Sequence, residues 1–308
     1  MEKRSVQAPA AVIMVRPHHF VPNSQTAKDN SFQQTSEDLS EAEVSKKAFQ
    51  EATIVAEKLE EKGVRVHIFE DEGTKTPDSV FPNNWFSTHS GGHVAIYPMF
   101  PENRRLERRY DIIEMLKTNY RVQDVIDYSG LEPDGLFLEG TGAMVLDHRD
   151  RVAYVTKSNR ADPVTLERFC THFNYEPMAF DAFDDSGTPV YHTNVLMCIA
   201  TDFVMVGLDM MDDPARRDEI VSRFESSGRE VIALSKDQIA NFAGNALELQ
   251  GSEGRILAIS KRAVDALTDE QIAKIEESTT ILPLEIPTIE LAGGSVRCML
   301  AGIHLLPR

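Results

Sequence analysis

Short apolar runs separated by polar or amphipathic stretches set the pattern of the chain. Ala11 to Val15 predicts a buried strand that ends at Arg16-Pro17. Segment 18–35 is polar, and such a segment in a compact domain is typical of a lid or binding loop, with a solvated loop as the alternative. The amphipathic stretch from Ser36 to Gly63 predicts a long helix, and Val64 to Phe69 alternates as a strand.

One unit then recurs: two strands joined by a tight turn, a helix and a third strand. Its four full copies span residues 85–127, 143–180, 195–234 and 246–285, and the predicted helices are 102–119, 163–173, 214–226 and 268–278. A fifth copy starts at Ser295, and the first strand lacks a hairpin partner. The two ends of the chain are therefore expected to share one unit.

This recurrence predicts an α/β protein with five ββαβ units arranged around an axis and the helices outside. We expect one domain over residues 1–308. An open doubly wound sheet is the competing architecture, but no Gly-x-Gly-x-x-Gly follows an early strand.

The amino-acid composition narrows the classes of molecule that the protein is expected to bind. The formal charge of −17 opposes nucleic acid and anionic membranes, although it also has a simple explanation in solubility. The three cysteines leave an odd thiol and match no metal spacing, which favours a reducing cytoplasm and predicts no metal. The first apolar run is too short for a signal peptide or a membrane span. A homodimer is left open.

Chemistry-bearing residues gather in the segments that lead into each predicted hairpin. If the units are equivalent, these segments line one central mouth. They contribute two carboxylates, a histidine, amides and a cysteine, which is the inventory of a nucleophilic site: Asp78, Asn84, Glu139, His192, Asn194, Asn245 and Cys298.

Each member also has a structural alternative. Cys298 is predicted to lie in a last strand from Glu290 to Leu300, and its structural alternative is a small buried hydrophobe. Arg297 is a cation that would favour its thiolate, although strand alternation would point it to the opposite face. A lone His192 can be a structural histidine, and the asparagines can bond local backbone.

Three motifs carry a resemblance to a known family. These are Pro77-Asp78-Ser79-Val80-Phe81, Phe137-Leu138-Glu139-Gly140-Thr141-Gly142 and Gly293-Gly294-Ser295-Val296-Arg297-Cys298-Met299. With them, the chain resembles the guanidino-group-modifying superfamily of the pentein fold, an α/β propeller with its active site on the central axis. The superfamily includes arginine deiminases, dimethylarginine dimethylaminohydrolases and amidinotransferases. Asn83-Asn84-Trp85, Asn30-Ser31-Phe32-Gln33 and Tyr191-His192-Thr193-Asn194 look most like its citrulline utilisation hydrolases.

The resemblance implies roles for the residues. Cys298 would attack the planar carbon of a guanidinium or ureido group and form a covalent adduct. His192 would protonate the departing amine and then activate water, and Glu139 would hold His192 and substrate nitrogens. Asp78 would bind the far nitrogens of the group. No cofactor is implied, and the partner is a small amino-acid substrate.

One departure from the family pattern favours a substrate. Asn84 stands where deiminases and dimethylarginine hydrolases carry an aspartate, and Asn194 replaces the aspartate of the deiminase His-x-Asp. Amides suit a neutral ureido group better than a cation, so citrulline, giving ornithine, is the preferred substrate. Phe32 and Asn245 are further substrate-binding candidates, and Arg160 and Arg297 are candidates for the substrate carboxylate.

Other functions stay open on the same residues. An arginine deiminase or a dimethylarginine dimethylaminohydrolase would use the same nucleophile, and an amidinotransferase would need an acceptor amine. A non-catalytic pentein would instead use the same face as a binding surface.

Overall fold

Five small sheets surround an axis in the computed structural model, which describes residues 6–28, 30–34 and 39–308. Each sheet has three strands; a central strand pairs with one neighbour antiparallel and with the other parallel. The strands are β1 (Ala11–Pro17), β2 (Arg65–Asp71), β3 (Phe86–His89), β4 (His93–Ile96), β5 (Asp124–Asp127), β6 (Met144–Asp147), β7 (Val152–Thr156), β8 (Glu176–Phe180), β9 (Met197–Ile199), β10 (Phe203–Val206), β11 (Glu230–Ala233), β12 (Leu247–Gln250), β13 (Arg255–Ser260), β14 (Thr280–Leu284) and β15 (Ala301–Gly302).

Helices connect the second and third strands of each sheet. The helices of the described residues are α1 (Glu41–Glu61), α2 (Tyr110–Asn119), α3 (Gly140–Ala143), α4 (Pro163–Phe173), α5 (Pro214–Ser226), α6 (Lys236–Ala240), α7 (Lys261–Ala266), α8 (Asp269–Glu276) and α9 (Val296–Met299). The short α3, α6 and α9 lie outside these connections. The five-unit α/β propeller predicted from the sequence is confirmed.

The first sheet joins the two ends of the described chain. β15 pairs antiparallel with β1, and β1 pairs parallel with β2 along its whole length. The Ile303 amide also donates to the Ala11 carbonyl at 2.8 Å. β15 therefore occupies the place that the first hairpin strand holds in the other four sheets.

The apolar core lies between each sheet and its outer helix. In α2, Ile112 and Leu116 are fully buried and belong to the same cluster as Val94 of β4. In α5, Ile220 and Phe224 pack in the same way with the strands of their sheet. Amphipathic helices thus cover the outer sheet faces, and the first strands of the sheets are left to line the axis. Within the described residues, no helix is long and apolar enough to span a membrane.

The structure corrects three predicted elements. The first helix begins at Glu41 with Ser40 as its cap, whereas Ser36 lies outside the described residues. The helix predicted over 102–119 is a 3₁₀ segment, Glu102–Glu107, followed by α2, because Arg109 adopts an extended conformation. The strand predicted around Cys298 is the helical turn α9, and only Ala301–Gly302 is paired.

Candidate active site

Cys298 lies in α9 near the axis, and its side chain is buried. The amide nitrogens of Asn194 and Asn245 each donate to its Sγ at 3.2 Å. Asn245 Nδ2 also donates to the Asn194 carbonyl at 3.1 Å, which fixes the orientation of this amide because a backbone carbonyl only accepts. Two N–H donors aimed at the sulfur favour negative charge on it.

A buried carboxylate–imidazole pair lies in the same region. Glu139 Oε2 is 2.7 Å from His192 Nε2, and both side chains are almost fully inaccessible. Burial by itself would raise the pKa of Glu139, but the Arg160 guanidinium, the His192 hydrogen bond and Arg104 lower it to about 2. Burial lowers the pKa of His192 to about 4, although Glu139 opposes this shift. At neutral pH, the neutral imidazole therefore donates from Nε2, and Nδ1 keeps a lone pair.

Two glycines allow this pair to approach its neighbours. Gly140 has φ +48°, and a Cβ there would lie 2.4 Å from the Asn83 carbonyl oxygen. A Cβ on Gly142 would lie 2.2 Å from Asn84 Nδ2 and 2.8 Å from His192 Nδ1. The Gly-Thr-Gly turn of α3 is thus required by the close packing of Asn84 and His192.

Arg104 is a buried site residue that the sequence analysis missed. Its guanidinium pairs with Glu107 at 2.9 Å and lies 3.7 Å from Asp78 and 4.0 Å from Glu139. Burial raises the pKa of Asp78, and Arg104 opposes the increase. The polar run around Arg104 resembles an exposed helix face in sequence; the one signal available was the Arg104–Glu107 spacing of three residues.

Arg104 also fixes the amide of Asn84. Arg104 Nη1 donates to Asn84 Oδ1 at 2.8 Å. A guanidinium has only donors, so the atom facing it must be the amide oxygen. Asn84 Nδ2 consequently points the other way, next to Gly142 and the His192 ring.

Several buried polar atoms in this region lack a hydrogen-bond partner within the described residues. They are Asp78 Oδ1, Asn84 Nδ2, Asn194 Oδ1 and Asn245 Oδ1. Buried polar atoms are rarely left unpaired in folded proteins, and a cluster of them is expected where a polar ligand binds. Asn83 adds its Oδ1 and Nδ2, and Ser79 adds its Oγ, so the region offers both unpaired acceptors and unpaired donors.

Aromatic and cationic side chains border the pair. The Arg160 guanidinium lies 3.5 Å from Glu139 Oε2 and 4.8 Å from the centre of the Tyr191 ring. The Tyr191 hydroxyl donates to the Gly293 carbonyl at 2.7 Å. The Phe32 ring lies 6.3 Å from Tyr191 and 5.9 Å from Phe242, so the structure brings Phe32 to the edge of this region.

The predicted lid is anchored on both sides of the site. Asn23 Nδ2 donates to Asp78 Oδ2 at 2.7 Å, and Asn30 Nδ2 donates to the Ala292 carbonyl at 3.1 Å. Neither bond was anticipated from the sequence. Asp29, in the same segment, lies outside the described residues.

The structure does not bring Arg297 to this group. Its Nη1 donates to the Leu300 carbonyl at 2.9 Å, and its side chain lines a separate cavity with Cys198 and His304. In a helical turn, Arg297 and Cys298 point about 100° apart, and the two side chains face different ends of the axis. Among the described residues, no group of three or more His, Cys, Asp or Glu side chains could hold a metal ion.

The sequence matches a known family over nearly its whole length. The model of the family described as N,N dimethylarginine dimethylhydrolase, eukaryotic, matches residues 16–305. The chain belongs to this family. No curated protein matches the chain. Membership of the dimethylarginine dimethylhydrolase family confirms the resemblance to the pentein guanidino-modifying superfamily.

Solved structures share the fold at low sequence identity. The N-terminal domain of ArgZ, an arginine dihydrolase from the ornithine–ammonia cycle in cyanobacteria, was solved with substrate; it aligns with a TM-score of 0.72, 15% identity, and coverage of 95% of this chain and 97% of that one. The structure of AgrE with L-arginine aligns with a TM-score of 0.73 and 16% identity, and the alignment covers 95% of this chain and 40% of that one. The structure of a dimethylarginine dimethylaminohydrolase adduct with S-methyl-L-thiocitrulline aligns with a TM-score of 0.60 and 13% identity. That alignment covers 97% of this chain and 99% of the other.

The chain is therefore a pentein enzyme of the guanidino-modifying class. It is a hydrolase that acts on C–N bonds, other than peptide bonds, in linear amidines or ureas.

Proposed function

We propose that the protein hydrolyses the ureido group of citrulline to give ornithine through a covalent adduct on Cys298. The observation that carries this proposal is the orientation of Asn84, whose oxygen is held by Arg104 and whose nitrogen is left as an unpaired donor. A ureido oxygen accepts a hydrogen bond from such a donor. A guanidinium has no acceptor to offer it.

The other unpaired atoms complement a ureido group. Asp78 Oδ1, Asn194 Oδ1 and Asn245 Oδ1 are acceptors without partners among the described residues. A ureido group carries three N–H hydrogens, which these acceptors can bind, and one carbonyl oxygen, which the Asn84 amide can bind. Glu139 and Asp78 would accept from its nitrogens, as expected from the sequence.

The geometry supports a nucleophilic mechanism. His192 Nδ1 takes the proton of the Cys298 thiol, and Glu139 stabilises the imidazolium that forms. The thiolate attacks the ureido carbon, and the Asn84 amide donates to the oxygen as it gains charge. The C–N bond breaks when His192 returns its proton to the departing amine.

Water then completes the reaction. His192 Nδ1 removes a proton from a water molecule, which attacks the S-carbamoyl carbon and releases Cys298. The resulting carbamic acid breaks down, so that citrulline and water give ornithine, ammonia and carbon dioxide. Thiol, imidazole and water supply every proton and bond in this sequence, and the proposal therefore requires no cofactor.

The amino-acid end of the substrate needs a cation for its carboxylate. Arg160 is the candidate that lies in the site, above the Tyr191 ring and near Glu139. Arg104 is already held by Glu107 and Asn84. Phe32 would cover the methylene chain of the substrate from the lid. We place this enzyme in the cytoplasm on the basis of its cysteine usage.

The structural neighbours support a second candidate. ArgZ and AgrE structures cover nearly all of this chain, and ArgZ is an arginine dihydrolase. An enzyme of that type would accept arginine as well, with a ureido compound formed on the way to ornithine. The same Cys298, His192 and Glu139 would serve both hydrolyses.

Product analysis separates these candidates. Pure protein is incubated in parallel with citrulline, arginine and dimethylarginine, beside a Cys298→Ala control, and the amino acids are quantified. Ornithine from citrulline alone supports the proposal. Ornithine from arginine at a comparable rate supports the dihydrolase, and citrulline as the final product of arginine or dimethylarginine would overturn both.

A further inference from the structure

A second polar cavity lies on the axis, lined by the first strand of every sheet. Residues from β3, β6, β9, β12 and β15 all contribute to it, and its volume is about 40 Å³. That is room for about three water-sized groups. Cys298, His192 and Glu139 do not line it.

The charge in this cavity is positive. Arg297 lines it, and within the described residues no carboxylate lies within 4 Å of its guanidinium. Its one side-chain bond in that part of the chain goes from Nη1 to the Leu300 carbonyl. Burial lowers the pKa of Arg297, while Cys298 and Cys198 oppose the shift. The Arg297 side chain is half-buried, and a guanidinium partly removed from water without an anionic partner is destabilised, which a bound anion would relieve.

The neighbouring side chains offer donors. His148 Nδ1 bonds the Tyr175 hydroxyl, so the other nitrogen of this ring is available to a ligand. The His148 and His304 rings are stacked with centroids 3.8 Å apart. Burial lowers the pKa of His304 to about 4, so it adds no second charge near neutral pH.

The other polar groups around the cavity are already bonded to protein. Ser87 bonds His89 and Tyr97, and Thr88 donates to the Gly302 carbonyl and accepts from the His304 amide. Glu248 does not line the cavity, although its charge acts on Cys198, and it is held by Thr201 and Arg255. No acid in the described residues competes for Arg297.

We propose that this axial cavity binds a small monovalent anion of chloride size on Arg297. The bound anion neutralises a cation directly adjacent in sequence to the nucleophile Cys298. Anion binding therefore weakens the electrostatic support of the thiolate and slows its reactions. The cavity and the active site are separate, so binding does not depend on the identity of the substrate.

Thermal unfolding tests binding without any activity measurement. The protein is unfolded in chloride and in gluconate at the same ionic strength. Gluconate serves as the reference anion because it is too bulky for a cavity of about 40 Å³. We expect the melting temperature of the wild type to rise with the logarithm of the chloride concentration, by about 2–4 °C at a tenfold excess over the dissociation constant. Arg297→Gln should lose this rise, and the exposed Arg121→Gln, a matched control, should keep it. An equal melting temperature of the wild type in both salts, or an undiminished rise in Arg297→Gln, would overturn the proposal.

A second measurement keeps the test decisive if Arg297→Gln does not fold. Crystals of the wild type are soaked in bromide, and the anomalous difference map is calculated. A peak within hydrogen-bond distance of the Arg297 guanidinium supports the site. Bromide found only on the outer surface excludes it.

Discussion

The two ends of the central axis use buried histidines in different surroundings. His192 bonds Glu139, whereas His304 has the Arg297 guanidinium near it and no carboxylate partner among the described residues. Burial lowers the pKa of each imidazole to about 4. Both are neutral at pH 7, but only His192 has an anion ready to stabilise the imidazolium. Similar resting pKa values thus arise in two ways, because at His192 burial and the nearby Arg160 and Arg104 offset the attraction of Glu139, whereas at His304 there is no such carboxylate among the described residues to offset.

The largest expected effect in testing this difference between the two ends of the axis comes from replacing cysteines. Cys298→Ala should lower kcat by more than about 10⁴-fold, because no other thiol lies between the two asparagine amides. Cys170→Ala should retain full activity, since that thiol lies on the buried face of α4, where burial raises its pKa to about 12. Steady-state ornithine release measures both. Equal losses in the two variants would place the nucleophile elsewhere.

The carboxylate partner should have the next largest effect. Glu139→Gln should lower kcat by about 10²- to 10⁴-fold because a neutral amide does not stabilise the His192 imidazolium. Glu248→Gln, a buried carboxylate outside the active site, is the matched control and should change kcat only slightly.

The pH profile of the wild type tests the role of His192. His192 must be unprotonated to act, so kcat/KM should fall below about pH 4. A profile that stays flat to pH 3 would contradict this role.

The third expected effect, smaller than the first two, is on substrate preference. Asn84→Asp replaces an unpaired donor by an acceptor and adds a charge that suits a guanidinium. We expect the ratio of kcat/KM for arginine to that for citrulline to rise by up to about 30-fold. Asn241→Asp, at a half-buried position where Oδ1 accepts from Arg262 Nε, should leave the ratio unchanged. An unaltered ratio in Asn84→Asp would remove the basis of the citrulline proposal.

The smallest expected effect is on stability at the other end of the axis. The folded pKa of His304 is below its unfolded value, so the unfolded chain binds more protons between about pH 4 and 6.5, and stability falls as pH falls through that range. His304→Gln should therefore lose roughly 1–2 kcal/mol less than the wild type between pH 7 and pH 5. Urea unfolding at the two pH values measures this difference. Parallel losses would show that His304 titrates normally.

The sequence was sufficient for the repeat and for much of the site. Alternation within each strand and amphipathic helices between strands predicted the five units, because those patterns are local. Glu139, His192 and Cys298 were proposed as one group because equivalent positions of a repeat converge on its axis. Arg104 was missed since its burial depends on contacts with Asp78 and Glu107 that no local pattern reveals.

The same limitation explains the remaining errors. Val296 to Met299 alternates like a strand, but tertiary contacts hold it as one helical turn. That turn sends Arg297 and Cys298 to different ends of the axis. Local propensity could not choose between these two outcomes.

The pairing of β15 with β1 also sets an order of events during protein synthesis. Ala301 must reach Ile13, which left the ribosome about 290 residues earlier. At about 5–20 residues per second, the edge of β1 waits some 15–60 s for its partner. Because Cys298 lies shortly before Ala301, where β15 begins, α9 takes its place beside the axis only as the ring closes. The side chains proposed for the reaction therefore come together only after β15 has been synthesised.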